Sequence, residues 1–167
     1  MRPCASNTRW TRADEPFSVG GARPAVFHRH HSEVLMIVVR SADIAHTERH
    51  ASGPGWDSKR MIVKQDGVGY SVHETRVHEG AELHLHYKHH FETNYCVAGE
   101  GEVVDTATGD VHRITPGTIY ALNRNDAHIL RATRGDLHLV CVFNPPLTGR
   151  ETHREDGSYA LPAGDDV

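Results

Sequence analysis

At 167 residues, 38% hydrophobic and 24% charged, the chain has the size of one domain with a single core. A net charge of -4 gives no basic footprint for nucleic acid or anionic lipid, and no apolar run is long enough for a membrane span or a secretory signal. What remains is an acidic protein that handles a small molecule, unusual in its 15 histidines, whose imidazoles serve metal ligation or proton transfer near neutral pH.

In chain order, residues 1–35 show no sustained periodicity, several Gly and Pro breaks, and five arginines against three acidic residues. They read as a flexible N-terminal extension. A start upstream of the native one, or residues foreign to the protein, accounts for them more simply than a functional arm. Met36 opens MIVVR, a strand by composition, and Ser41 to Arg49 alone has a helical look.

From Met61 onward the chain breaks into short apolar or alternating segments: MIVKQDG, GYSVHETRV, ELHLHYK, FETNYCVAGEG, EVVDTATGD, VHRITPG, TIYALNRND, AHILRATRGD and LHLVCVFNPP. Strands of five to eight residues cut by Gly, Asp and Asn turns predict an all-β, antiparallel sandwich or small barrel. Cys4, Cys96 and Cys141 stand far apart with no CxxC spacing, which leaves no disulfide framework and points to a reducing cytoplasm.

The richest stretch runs from His84 to Gly101, HLHYKHHFETNYCVAGEG. Alternation in ELHLHY sets Leu83, Leu85 and Tyr87 on one face and Glu82, His84 and His86 on the other. The leucines belong inward, so His84 and His86 are expected at the surface or an interface. His90, Glu92 and Asn94 share a face of the following strand, and Glu92 is a candidate interior ligand. From the residues alone, His128 reads as a ligand and Tyr120 as an ordinary core tyrosine.

Gly80, His84, His86, Glu92 and Gly99, followed by Pro116, Gly117 and His128, form two glycine-bounded segments that resemble the paired signatures of the cupin superfamily, small β-barrels that often hold a metal. Five residues separate His86 from Glu92 where the general pattern has three or four, which sets the two out of phase unless a bulge intervenes. The strings GWDSKRMIVKQDG, HYKHHFETNYCVAGEGEV, PGTIYALNRNDAHILRA and CVFNPPLTGRETHREDGSYA together resemble one cupin family, the ectoine synthases, from Met36 to about Ala163. That extent implies a cupin-type double-stranded jelly-roll over 36–163 and a short tail over 164–167.

The resemblance implies an Fe(2+) enzyme of the cytoplasm, a homodimer, that cyclises N-γ-acetyl-L-2,4-diaminobutyrate with loss of water in compatible-solute synthesis under osmotic stress. Position by position it implies Glu92, Tyr120 and His128 as iron ligands. It implies Trp56, Ser58, Arg60, His73, Thr75, Tyr87, His90, Cys141 and Phe143 around the substrate, with Glu151 and His153 beside them; the base and acid that ring closure needs make Glu151 and His153, with Tyr87 as donor, the candidates for proton transfer. Positions 56, 58 and 60, positions 73 and 75, and positions 141 and 143 are each same-face sets if extended. ETHREDGSYA, after the turn at Pro145 and Pro146, is a candidate lid. Another iron cupin such as a dioxygenase, or a cupin that binds a solute without turnover, are the competing readings.

Overall fold

The computed structural model describes residues 36–154 and 156–159. The expectations for residues 1–35 and for the 164–167 tail lie outside the described residues. A single helical turn, α1 (Ser41–Ile44), precedes β1 (His50–Gly53) and β2 (Trp56–Ile62), which are joined by a turn at Gly55. A 3-10 turn at Lys64–Asp66 leads to β3 (Ser71–Val77), β4 (Glu82–Leu85), the 15-residue β5 (Phe91–Asp105), β6 (Val111–Ile114), β7 (Ile119–Leu122) and the 17-residue β8 (His128–Asn144).

All pairings are antiparallel, in the order β1-β2-β3-β8-β5-β6, with β4 on the start of β8 and β7 on the start of β5. β5 and β8 pair from Phe91↔Asn144 to Asp105↔His128, and this long ribbon is the spine of the sheet. It bends where the register slips three times between Cys96 and Gly101. Gly99 sits at that point with φ +80, and a Cβ there would run into the Asp136 carbonyl, so the bend requires glycine.

The bend folds the two ends of the ribbon toward each other. The Tyr87 ring is 5.3 Å from Phe143, the register partner of Glu92, and 6.3 Å from His128 at the far end of the same ribbon. Val77, Val103, Ile114, Leu130, Leu137 and Leu139 fill the enclosed core.

Several expectations change. MIVVR forms no strand, and the helix is one turn rather than nine residues. Regular pairing begins at His50, before the expected 61, because β1 and β2 form a hairpin whose polar sequences carry no apolar alternation. EVVDTATGD supplies only the end of β5, and AHILRATRGD and LHLVCVFNPP form one continuous β8: glycines that read as turns act instead at bulges. β4 ends at Leu85 and β5 begins at Phe91, so the phase between His86 and Glu92 is set by a loop rather than by a strand. As the alternation predicted, Leu85 and Tyr87 are buried while His84 is exposed and paired with Glu82 at 2.8 Å.

Candidate active site

Three strands place one polar group after another inside the barrel. On β2 the inward positions are Trp56, Ser58 and Arg60, all buried. Across the register Ser58 meets Thr75 and Arg60 meets His73 on β3, which in turn pair with Leu139 and Cys141 on β8. On β5 the inward positions are Glu92 and Asn94, and β8 brings Cys141 and Phe143 to face them. An enclosed cavity of about 30 Å³, the room of roughly one water, is lined by Trp56, Ser58, Arg60, Thr75, Tyr87, Glu92, Asn94, Cys141, Phe143, His153 and Tyr159 among others.

Arg60 is the dominant charge here, and it is 1% exposed. Its Nη1 donates to Ser58 Oγ at 3.1 Å and to His73 Nδ1 at 2.7 Å, and its Nη2 lies 3.4 Å from the Glu151 carbonyl. Because a guanidinium only donates, His73 must accept at Nδ1 and carry its proton on Nε2. Burial, reinforced by Arg60, pushes the His73 pKa well down, which agrees with a neutral ring. Ser58 Oγ and Thr75 Oγ1 share a bond of 2.8 Å. Among the described residues no carboxylate pairs with Arg60, so a guanidinium is held buried, oriented and without a counter-ion.

The C-terminal segment closes over this cavity. His153 bridges to Tyr159, whose ring stacks between His153 at 4.7 Å and Tyr87 at 4.8 Å, with Arg60 5.7 Å from its centroid. His86 N donates to Gly157 O at 3.0 Å, and Lys88 pairs with Asp156 at 2.6 Å. Tyr87 OH and His153 Nε2 are 2.9 Å apart. Burial, then Arg60, lowers the His153 pKa to about 4, so its imidazole is neutral at pH 7.

Three further side chains have the chemistry of metal donors. His128 Nδ1 donates to the Asp126 carbonyl at 3.1 Å, which fixes the tautomer and leaves the Nε2 lone pair free. That Nε2, the Tyr120 hydroxyl and Glu92 Oε2 are all buried with no hydrogen-bond partner among the described residues. Burial pushes Glu92 up to about 8 and Tyr120 well above its usual range, with Glu92 adding to the latter. Without a cation these oxygens hold protons; a bound cation would draw them off. Among the described residues no three His, Cys, Asp or Glu side chains are grouped as a cation site.

Not every expected residue reaches the cavity. His73 stands behind Arg60 and packs on Phe143 at 4.9 Å. His90 is buried but spends Nδ1 on the Pro145 carbonyl at 2.8 Å. The Glu151 carboxylate accepts from Thr148 N, Thr148 Oγ1 and Gly149 N at 2.7, 2.8 and 2.9 Å, and although burial opposes it these bonds hold its pKa below the usual range. It closes a turn, and it does not line the cavity. Tyr120 and His128 do not line this cavity; they line a wider hollow of about 620 Å³ between β6, β7 and the end of β5. Sequence reasoning missed Tyr159, which lies in a polar segment without periodicity, and left Asn94 without a role.

Solved structures place this fold. It resembles a predicted oxalate decarboxylase from Thermotoga maritima with a TM-score of 0.54 at 23% identity, over 65% of this chain and 99% of that one. That likeness concerns architecture alone, and it makes the sheet a cupin-type jelly-roll. The ectoine synthase structure from P. lautus matches with a TM-score of 0.68 and 41% identity, covering 79% of this chain and 96% of that one.

The family model described as ectoine synthase matches residues 36–163. L-ectoine synthase from Hyphomonas neptunium is 51% identical over 77% of this chain and 96% of its own length, and that of Halomonas elongata 51% identical over 75% and 92%. The chain belongs to the ectoine synthase family, and it is an enzyme, a hydro-lyase.

Proposed function

We propose that the protein closes N-γ-acetyl-L-2,4-diaminobutyrate into the cyclic amidine ectoine with loss of water, with Fe(2+) held by Glu92, Tyr120 and His128. The observation that carries this reading is the buried, counter-ion-free Arg60 in the same cavity as Glu92. A guanidinium so placed selects a carboxylate, and the substrate has one. Arg60, oriented by His73 and flanked by Ser58 and Thr75, binds that carboxylate and fixes one end of a flexible molecule. Fixing both ends turns a slow encounter into a positioned one. The bound iron would act as a Lewis acid toward the amide carbonyl oxygen.

Residues of the chain handle the protons. Ring closure uses the α-amine as a free base, and His153, neutral at pH 7, takes a proton at Nε2 from that nitrogen as attack on the carbonyl carbon makes it acidic. Tyr87, 2.9 Å from that nitrogen, carries the proton onward as its hydroxyl donates to the departing oxygen. Glu151, set aside from this relay by its three bonds, holds the 148–149 turn and offers its carbonyl to Arg60. Trp56, Phe143, Cys141 and Tyr159 wall the cavity and exclude water from a dehydration. The cavity has room for about one water, so substrate entry needs it to widen, and the cover formed by His153 and Tyr159 is where this reading places the opening.

The same reading places the enzyme in the cytoplasm as a homodimer serving osmotic protection. No helix among the described residues is long and apolar enough to cross a membrane, and the exposed Phe91, Tyr95, Val97 and Ile119 on β5 and β7 offer a second copy an apolar face.

The test is anaerobic reconstitution with iron, followed by assay for cyclic product, for the native protein and Glu92→Ala. Product from the native protein, with iron and activity both lost in the variant, is expected. Full iron loading without cyclic product would overturn the reading, and oxygen consumption in the same vessel would identify an oxygenase.

A further inference from the structure

Asn94 is 1% exposed, lines the cavity, and has neither its Nδ2 nor its Oδ1 bonded to any partner among the described residues. It lies on the inward face of β5, with Tyr120 of β7 and Cys141 of β8 as its register partners and Glu92 two positions before it. A buried amide with both functions unmet costs about 1–3 kcal/mol per group, and an apolar residue of the same shape would avoid that cost. A ligand with a donor and an acceptor side by side would satisfy both.

The ring-closure reading above supplies such a ligand, and the inference rests on it. The α-amine nitrogen attacks the acetyl carbonyl carbon: a C–N bond forms and the C=O π electrons pass to oxygen. That oxygen then leaves with two protons, taken from the ring nitrogens, as water. In the tetrahedral adduct the new N–H and the oxygen sit on one carbon, as they do in a carboxamide. In the open substrate they do not, because a secondary trans amide points its own N–H away from its carbonyl oxygen. We infer that Asn94 is a catalytic residue that pairs with this adduct, its Nδ2–H donating to the oxygen that was the carbonyl and its Oδ1 accepting from the attacking nitrogen. Such a two-point pairing is stronger in the transition state than in the bound substrate, so it accelerates closure more than it tightens binding.

Asn94→Leu keeps the shape and removes both functions; Asn94→Val and Asn94→Ser serve if it fails to fold. With the iron-loaded enzyme, kcat should fall about ten- to a hundredfold, toward the lower range for an oxyanion donor. KM should stay within about twofold, since uniform binding is untouched. Iron content should equal that of the native protein, and the Tm of Asn94→Leu should be the same or higher. Asn94→Ser, which keeps one donor and acceptor, should recover part of kcat. Unchanged kcat, a loss confined to KM, or a loss that tracks iron content would each overturn the assignment. The last would make Asn94 a positioning residue for Glu92. A native protein that makes no cyclic product defeats the ring-closure reading and this inference with it; a native protein that turns over beside an equally active Asn94→Leu defeats this inference alone.

Discussion

The two halves of β5 share one strand and one inward face, yet bury opposite chemistry. Before the bend at Gly99 the inward side chains are Glu92 and Asn94, unpartnered and facing the cavity, followed by Cys96, which already joins the apolar core. After it they are Gly101 and Val103, packed with Ile114 and Leu137 in the apolar core. Alternation is the same in both halves, so the strand period decides only what is inside. What the interior does depends on which side chains the ribbon's bend brings to the same point. The polar half is a liability for stability and the apolar half a resource for it, the usual division between a site and its scaffold.

That division can be broken or sharpened by substitution. The largest effect is expected in the apolar half, where Ile114→Ala, at a position with no exposed surface, should cost about 2–5 kcal/mol. Thermal unfolding should show it, and the kcat of the protein that stays folded should hardly change. In the polar half the sign should invert. His153 keeps a folded pKa of about 4 against an ordinary 6.5, so the unfolded chain binds the proton first as pH falls. Its contribution is intact above about 6.5 and lost as pH drops through 4, by at most about 3 kcal/mol. His153→Phe should flatten that limb in unfolding curves taken across the range, while abolishing most turnover.

Arg60→Met, which removes an unpaired buried charge, should leave Tm equal or higher while raising KM about ten- to a hundredfold, the worth of charge-assisted hydrogen bonds. A fall in Tm with unaltered KM would place Arg60 in the scaffold instead. The smallest effect belongs to the exposed Lys88–Asp156 pair. Asp156→Asn removes the bond to Lys88 but leaves the segment held by Gly157, so Tm should not move measurably. The same variant should speed substrate entry in stopped-flow mixing, and an unchanged entry rate would show that this ion pair does not latch the segment.

Much of the site is legible in the residue pattern alone. Same-face spacing groups Trp56 with Ser58 and Arg60, and Cys141 with Phe143, and in the structure all five line one cavity. The outward reading of His84 is legible for the same reason, since Leu85 and Tyr87 take the inside. His90 and Glu151 illustrate the limit. Each has a residue type suited to the site, yet each is committed to a backbone partner, Pro145 O in one case and the 148–149 turn in the other. No pattern of residue types records how a side chain's hydrogen bonds are distributed.

The sequence by itself determined the antiparallel β class, the family, and the set of groups available for chemistry, because period-two alternation and residue identity are local properties of the chain. Only the tertiary structure decided that Gly99 and Gly135 lie within long strands rather than between short ones. It also decided that Tyr87 lies between the two ends of the β5–β8 ribbon, and that Tyr159 folds back onto it. Those outcomes depend on where a bulge bends a strand and which distant surfaces then meet. Such contacts are non-local, and their energy is shared among residues that are never neighbours in the chain.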